Sequence, residues 1–431
     1  MTSQNNQNKI YLIEGFLIKN QKLLLVFLIG LSFVIKLFFL NFYAQPYFFD
    51  VQTYIEAVEF FLKGISFSDV IMPLYPIVVY IAEKILNIQI FNILFSCLTI
   101  FITFQLLSFI YNKIIFKFLV ILIIAFYPFN IFYSITGFSE TFYVLFLTTT
   151  LLFFYKDKIF LATLFGSLAL LIKPVHFYPL LFFIFYFQIY YFKKEFKKSV
   201  FTILACGAIL ILVMSPWWIF NYNKYNKFIM FNLSSTLTLF IGNNPLNKTG
   251  GGTVVDDHDI KNFPKRFSKS QQDFSYDLLK GYPGFSFDEN KKKVIFIEGV
   301  EGAIDRHKSY LKYSQKYIFD NPDKFIELVF KKFVRFWRLW PYSQEYNSFK
   351  YIIISLLSYG PFLILFIIYT FKFISKFEKH TFPLILMIFY FSFVHMILIS
   401  SIRYRFPIEN FIIILGVYFL MTEIGKKTKL R

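Results

Sequence analysis

Two cysteines in 431 residues leave no material for a disulfide framework or a thiol-ligated metal, and both, Cys97 and Cys206, lie inside apolar runs. Charge is scarce as well: Asp, Glu, Lys and Arg make up 16% of the chain, against roughly a quarter in soluble domains. Neither a P-loop nor a G-x-G-x-x-G fingerprint occurs, so neither ATP nor a nucleotide-bound donor is indicated. Four of the five histidines, His258, His307, His380 and His395, are scattered without metal-ligand spacing. The acidic pair Asp256-Asp257 in a Gly-rich loop is by itself a weak metal signal, so no cofactor is assigned and a divalent metal stays open. No cleavable signal peptide is expected, because the first apolar run, 23–43, is too long for an h-region and has no small-residue cleavage site; it is expected to stay as an anchor.

What the chain has instead is apolar length. Hydrophobic residues make up 57% and aromatics 23%, and the mean hydropathy is +0.55. A helix needs about 20 mostly apolar residues to span a bilayer. Spans are therefore expected near 23–43, 88–111, 114–133, 139–155, 159–173, 176–192, 199–220, 349–371, 381–401 and 405–423, with 74–86 as a partial span. The fold class is an all-α polytopic membrane protein with about 10–12 transmembrane helices. Lys and Arg outnumber Asp and Glu by 45 to 26, a net charge of +19, but the basic residues sit in short clusters between apolar runs. That is the positive-inside pattern and not a nucleic-acid footprint. Placing both termini in the cytoplasm puts the lysine clusters on one face. The other face then receives the first loop (44–87), Glu140, Lys173, the long polar region 222–348 and Arg403-Tyr404-Arg405. That long region divides into a Gly/Asn-rich first half and a second half, from about Asn290 to Trp340, patterned as helix and interrupted at Asn321-Pro322. A transmembrane bundle (1–221), an extracytoplasmic domain (222–348) and C-terminal helices (349–431) follow.

The first loop, YFFDVQTYIEAVEFFLKGISFSDVIMPLYP, organises the rest. Tyr54, Ala57, Val58, Phe61 and Leu62 recur at helical spacing after Asp50, which predicts a short amphipathic surface helix with Asp50 at its N-terminal end. Asp50 either caps that helix or faces a site enclosed by the bundle. Glu140 opens a span, where the helix dipole favours it, or turns into the same cavity, as ionisable residues near spans commonly do. Arg403 and Arg405 suit a phosphate, which Arg grips bidentately, the alternative being interface snorkelling. Lys173, before Pro174 at another helix end, could add a further positive charge.

Taken in order and spacing, these residues resemble the GT-C fold glycosyltransferases that use polyprenyl-phosphate sugars, the superfamily of protein mannosyltransferases, aminoarabinose transferases and family 39-like bacterial enzymes. The resemblance rests on Asp50 with Tyr54, Ala57 and Gly64; Pro73-Leu74-Tyr75-Pro76; Tyr127-Pro128, Tyr133-Ser134 and Ser139-Glu140; and Lys173-Pro174. It continues through Pro216-Trp217, Asn221-Tyr222, Gly242-Asn243-Asn244-Pro245, Gly250-Gly251, Asn321-Pro322, Phe325, Lys332 and Phe336-Trp337 to Arg403-Tyr404-Arg405 with Pro407. It implies an inverting transfer of one sugar from a polyprenyl phosphate, in a bacterial inner membrane, with the active site extracytoplasmic. Asp50 and Glu140 would be the catalytic acids. Lys173, Arg403, Tyr404, Arg405, Tyr75 and Asn244 would contact substrate, and membrane lipids and a lipid or glycan acceptor would be the partners, without nucleic acid. Three positions depart from the pattern. Asp50 is followed by Val51 where protein mannosyltransferases carry Glu, Lys173 stands where Arg is common, and Met72 precedes the proline corner where aminoarabinose transferases carry a base. The acceptor is thereby expected to be a lipid-linked or envelope glycan, with a protein acceptor as one alternative. A non-catalytic translocase of lipid-linked sugars, a polymerase or ligase using diphosphate-linked oligosaccharides and a membrane scaffold are the others.

Overall fold

The structure, a computed structural model, describes residues 12–42, 49–64, 68, 70–251, 278–288, 293–297, 299–342 and 348–427. The acidic pair Asp256-Asp257 and His258 lie outside the described residues, as does Asp69. The chain is an all-α multi-pass membrane protein in which every expected span coincides with a helix or helix pair. In order the helices are α1 (Gln21–Phe42), α2 (Phe49–Leu62), α3 (Leu74–Ile85), α4 (Ile88–Leu106), α5 (Ile114–Phe126), α6 (Pro128–Ile135), α7 (Ser139–Tyr155), α8 (Ile159–Leu170), α9 (Phe177–Phe185) and α10 (Phe196–Tyr225). After a polar domain come α14 (Phe349–Ser375), α15 (Phe382–Ile397) and α16 (Ile402–Lys427). Among the described residues five helices are long and apolar enough to cross a membrane: Gln21–Phe42, Ile88–Phe109, Phe196–Tyr225, Phe349–Ser375 and Ile402–Ile424. The α5–α6 pair makes a sixth if it is one span bent by 47°. Helices α7, α8 and α15 are apolar but shorter, so of the expected 10–12 spans only this smaller number is established.

Local chemistry explains the breaks. Pro128 has no N–H to continue α5 and restricts the residue before it, so Tyr127 is extended (φ −63°, ψ 122°) and the chain restarts with Pro128 at the head of α6. Asn226 ends α10 in the left-handed conformation (φ 50°), which Asn tolerates better than most residues. Asn87 caps α4 by accepting from the Ile90 amide at 2.8 Å. Helix α7 is buried on nearly all sides, which matches its lack of apolar periodicity. Its Thr148, Thr149 and Thr150 hydroxyls return to carbonyls one turn back, so no buried hydroxyl in that run is left wanting.

Charge segregates to two ends of the bundle. At one end Lys156 reaches Gln105, Lys194 pairs with Asp157, and Lys372 bonds Glu423 at 2.8 Å. At the other lie α2, the Pro73 corner and a small domain of α11 (Ser234–Gly242), a hairpin β1 (Phe285–Asp288) and β2 (Lys293–Phe296), α12 (Gly299–Asp320) and α13 (Pro322–Trp337). This domain has its own core of Phe240, Leu279, Phe285 and Tyr310. It is tied to the bundle where Asn232 Nδ2 donates to the Val70 carbonyl (3.0 Å) and Lys332 Nζ to the Ile397 carbonyl (2.9 Å). A side chain at Gly242 would collide with the Leu398 carbonyl, so the bare backbone is what lets α11 close on the α15–α16 connection. The expected helix from Asn290 is corrected in part. Lys293–Phe296 pairs antiparallel with Phe285–Asp288, and the helix starts only at Gly299. The run KVIF is β-branched at its centre and sets Phe296 against Phe285 with ring centroids 5.9 Å apart. The break at Asn321-Pro322 stands, with Pro322 opening α13. On α13, Leu328, Lys332 and Phe336 are buried while Ile326, Phe330, Phe333 and Val334 are exposed. That pattern suits a helix lying along a membrane surface.

Candidate functional site

Three helix N-termini converge at the end of the bundle that carries the small domain: those of α2, α7 and α16. Each brings one charged residue. Asp50 stands in the first turn of α2 and Glu140 in the first turn of α7, where the partial positive charge of the helix favours a carboxylate. Arg403 stands at the start of α16. Its guanidinium is shared between the two acids. Nη2 lies 2.5 Å from Asp50 Oδ2, Nε lies 2.7 Å from Glu140 Oε1, and Nη2 also donates to Glu140 Oε2 at 3.3 Å. The Phe138 ring lies against the guanidinium, 3.9 Å from its central carbon. Lys173 completes the group with a 3.0 Å bond to Glu140 Oε1. The four charges cancel. They differ in access: Glu140 is 1% exposed, whereas the Lys173, Arg403 and Asp50 side chains keep 21%, 26% and 32%. Among the described residues no three His, Cys, Asp or Glu converge as a metal site would require.

The scaffold that holds these groups is local and traceable. Gly137 adopts φ +73°, and a Cβ there would meet Val51 Cγ2 at 2.9 Å and Ile88 Cγ2 at 3.1 Å. The turn before Glu140 is thus packed on the residue next to Asp50, and only glycine fits both its backbone and its neighbours. Tyr75 Oη donates to the Gly137 carbonyl at 2.6 Å, and Asn92 Nδ2 to the Phe138 carbonyl at 3.0 Å. The Leu74 amide donates to the Leu171 carbonyl at 3.0 Å, joining the Pro73 corner to the end of α8, two residues before Lys173. One turn after Asp50, the Tyr54 hydroxyl bonds Ser139. Burial, and then the Asp50 charge, push that phenol well above its ordinary range, so it stays a neutral hydrogen-bonding group.

The expected site residues fall into two groups. Asp50, Glu140, Lys173 and Arg403 come together. Tyr404 lies beside them with its ring stacked on His395 (centroids 4.6 Å apart, interplanar angle 5°). Tyr75 is fully buried and acts on the cluster through Gly137. Arg405 does not join it. It is fully buried, bonds Glu409 Oε1 through Nε at 2.7 Å, donates through Nη1 to the Phe336 and Arg338 carbonyls at 2.9 and 2.6 Å, and packs on the Tyr359 ring. Two residues along a helix turn the side chain through about 200°, so Arg403 and Arg405 leave opposite faces of α16. Asn244 is likewise a turn residue. Its side chain donates to the Phe240 carbonyl at 2.8 Å and accepts from the Leu246 amide at 2.9 Å.

Other residues complete the picture without standing out in the sequence. Phe138 and Gly137 sit between two residues of the motif and shape the site. Glu409 also accepts from the Tyr127 hydroxyl at 2.8 Å. Lys36, fully buried in α1, donates to Ser96 Oγ at 2.7 Å. The one signal for the last two is an ionisable residue within an apolar run. Comparison of the chain with protein-family models and with curated proteins finds no match.

Proposed function

We propose that the chain is a GT-C type glycosyltransferase of about ten spans in a bacterial inner membrane, its Asp50 end extracytoplasmic. On this reading it moves one sugar from a polyprenyl phosphate to a lipid-linked or envelope glycan hydroxyl. The single observation that carries the reading is Arg403 forked between Asp50 and Glu140, with Lys173 on the second acid. Arg403 at the N-terminus of α16 with Lys173 beside it forms an arrangement suited to a phosphate, and a carboxylate that can be released from it is a base.

The two acids divide the work by access. Glu140 is buried and held by both cations, so it aligns Arg403 and Lys173 and keeps their charges tolerable. Asp50 is more exposed and held through one guanidinium nitrogen. When the donor phosphate arrives it competes for Arg403, and Asp50 is set free beside the sugar. The acceptor hydroxyl oxygen then attacks the anomeric carbon as its proton passes to Asp50. The bond between that carbon and the phosphate oxygen breaks, and polyprenyl phosphate leaves with the electron pair, its charge met by Arg403 and Lys173. Attack opposite the leaving group inverts the anomeric centre. Arg405 and Asn244 hold structure in this scheme, and Tyr404 borders the pocket.

The test is transfer of radiolabelled sugar by the purified protein in liposomes, with monophosphate and diphosphate donors side by side. Monophosphate-dependent transfer that Asp50→Asn reduces by at least a hundredfold, with a melting temperature lowered by no more than about 4 °C, supports the reading. Transfer that survives in Asp50→Asn, or that needs a diphosphate donor, contradicts it.

A further inference from the structure

At the lysine-rich end, far along the chain and the bundle from Asp50, an aromatic groove of about 450 Å³ opens sideways from the protein. One wall is α9 and the π-helical turn that extends it, Tyr186–Tyr191, presenting Phe182, Ile189 and Tyr190; the other is Phe377 and Phe382, at the connection into α15. Phe182 packs edge-on against Phe382 with centroids 6.1 Å apart and Tyr190 against Phe377 at 6.0 Å, so the two sides meet and form the floor of an open, shallow groove. The walls are fixed: the Tyr186 hydroxyl donates to the Lys379 carbonyl at 2.7 Å, and the Tyr155 hydroxyl also bonds this connection, at the His380 carbonyl. Yet Phe182, Ile189, Tyr190 and Phe377 keep between 41% and 51% of their surface exposed. A π turn inside a helix is uncommon and is often found at functional sites.

The mouth of this groove is basic. The π turn ends at Tyr191, and two residues further on Lys193 takes a left-handed backbone (φ 51°). Lys379 Nζ lies 5.1 Å from the centre of the Tyr191 ring, and Lys376 follows the end of α14. Four acids at this end are engaged: Asp157 with Lys194, Glu195 with Lys198, Glu423 with Lys372, and Glu378 with the Tyr369 hydroxyl and near His380. Among the described residues Lys193, Lys376 and Lys379 have no carboxylate partner.

From an apolar slot open toward the bilayer and uncompensated ammonium groups at its membrane-surface end, we infer that the groove holds one anionic phospholipid. An acyl chain lies along the aromatic walls, and the headgroup phosphate meets Lys193 and Lys379. Basic recesses between spans are a recognised setting for acidic headgroups. The lipid is drawn from the bulk leaflet at that face, because the groove opens to the bilayer and lies at the other end of the bundle from the Asp50 cluster. The inference is independent of the proposed chemistry.

Native mass spectrometry of the delipidated full-length protein tests it, with phosphatidylglycerol, phosphatidylcholine of the same chains and polyprenyl phosphate as probes. A single phosphatidylglycerol should bind at least tenfold more tightly than phosphatidylcholine. Ile189→Trp, which fills the slot at a half-exposed position, should lose that adduct while melting at the parent's lipid-free temperature. Lys193→Gln with Lys379→Gln, both at the surface, should bring the two phospholipids to equal affinity. Equal binding of the two by the parent protein, an undiminished adduct in either variant, or displacement of phosphatidylglycerol by equimolar polyprenyl phosphate would overturn the inference.

Discussion

Arg403 and Arg405 are two residues apart and do different things because α16 turns them to opposite sides. Arg403 faces a partly open cluster with two carboxylates, while Arg405 is sealed against Glu409, Tyr359 and two backbone carbonyls. Removing one member of a buried ion pair strands the other and costs about 3–5 kcal/mol, whereas an apolar replacement of both is far milder. Arg405→Met should therefore lower the melting temperature in detergent sharply, and Arg405→Met with Glu409→Met should recover most of the loss together with sugar transfer. A stable double variant without transfer would instead place Arg405 on the substrate. Lys332 gives a second residue-scale prediction. It is fully buried with Asn243 Oδ1 at 2.8 Å and the Ile397 carbonyl as partners, and burial lowers its ammonium pKa from 10.5 to about 7. The folded form binds fewer protons than the unfolded form between those two values, so stability rises with pH from about 7 upward and is flat below. The melting temperature should climb between pH 7 and pH 9 in the parent, and Lys332→Met should abolish the climb.

At the scale of elements, the site depends on one turn. Gly137 places the N-terminus of α7 on Val51 of α2, which sets Glu140 and Asp50 within reach of one arginine. Gly137→Ala combines an unfavourable positive φ with a contact of 2.9 Å, and should cost roughly 1–2 kcal/mol and reduce transfer. Adding Val51→Ala should recover the packing part and leave the backbone part, measured by unfolding of the single and double variants. Much of this arrangement was legible from residue types alone. The α2 helix after Asp50, the Pro73 corner, the acid opening α7, and the base after α8 all carry local signals of cap, proline or charge. The divergence of Arg403 and Arg405 was implicit in helical geometry but hidden by a boundary, since the span was expected to begin at 405 and the helix begins at Ile402. The β1–β2 hairpin was missed because four-residue strands leave too short a pattern to outweigh the helical periodicity around them. Asn244 is expected as a substrate contact in a Gly/Asn-rich motif; its hydrogen bonds include the Phe240 carbonyl and the Leu246 amide, local partners that composition does not reveal.

On the scale of the molecule, the separation of charge into two ends matches the sequence alternation of lysine clusters and acid-bearing loops. The lengths of the shorter apolar helices were less legible, because burial among neighbours and exposure to lipid demand the same residues. The two ends are predicted to face opposite sides of the membrane. Cys97 and Cys206 are both buried, so single cysteines placed at exposed Glu59 and Lys376 can be probed without removing them. A membrane-impermeant thiol reagent should reach position 59 only from outside and position 376 only after permeabilisation.

The most direct test of the shared arginine is the affinity of the purified protein for polyprenyl monophosphate without sugar. Since Asp50 and the phosphate compete for the same guanidinium, Asp50→Asn should bind the lipid phosphate more tightly than the parent while losing transfer. The gain should reach at most about fivefold, the worth of a partly exposed ion pair of up to ~1 kcal/mol, and Arg403→Gln should bind it far more weakly. Weaker binding in Asp50→Asn, or undiminished binding in Arg403→Gln, would contradict the assignment of this cluster as the place where the donor phosphate is held and the base released.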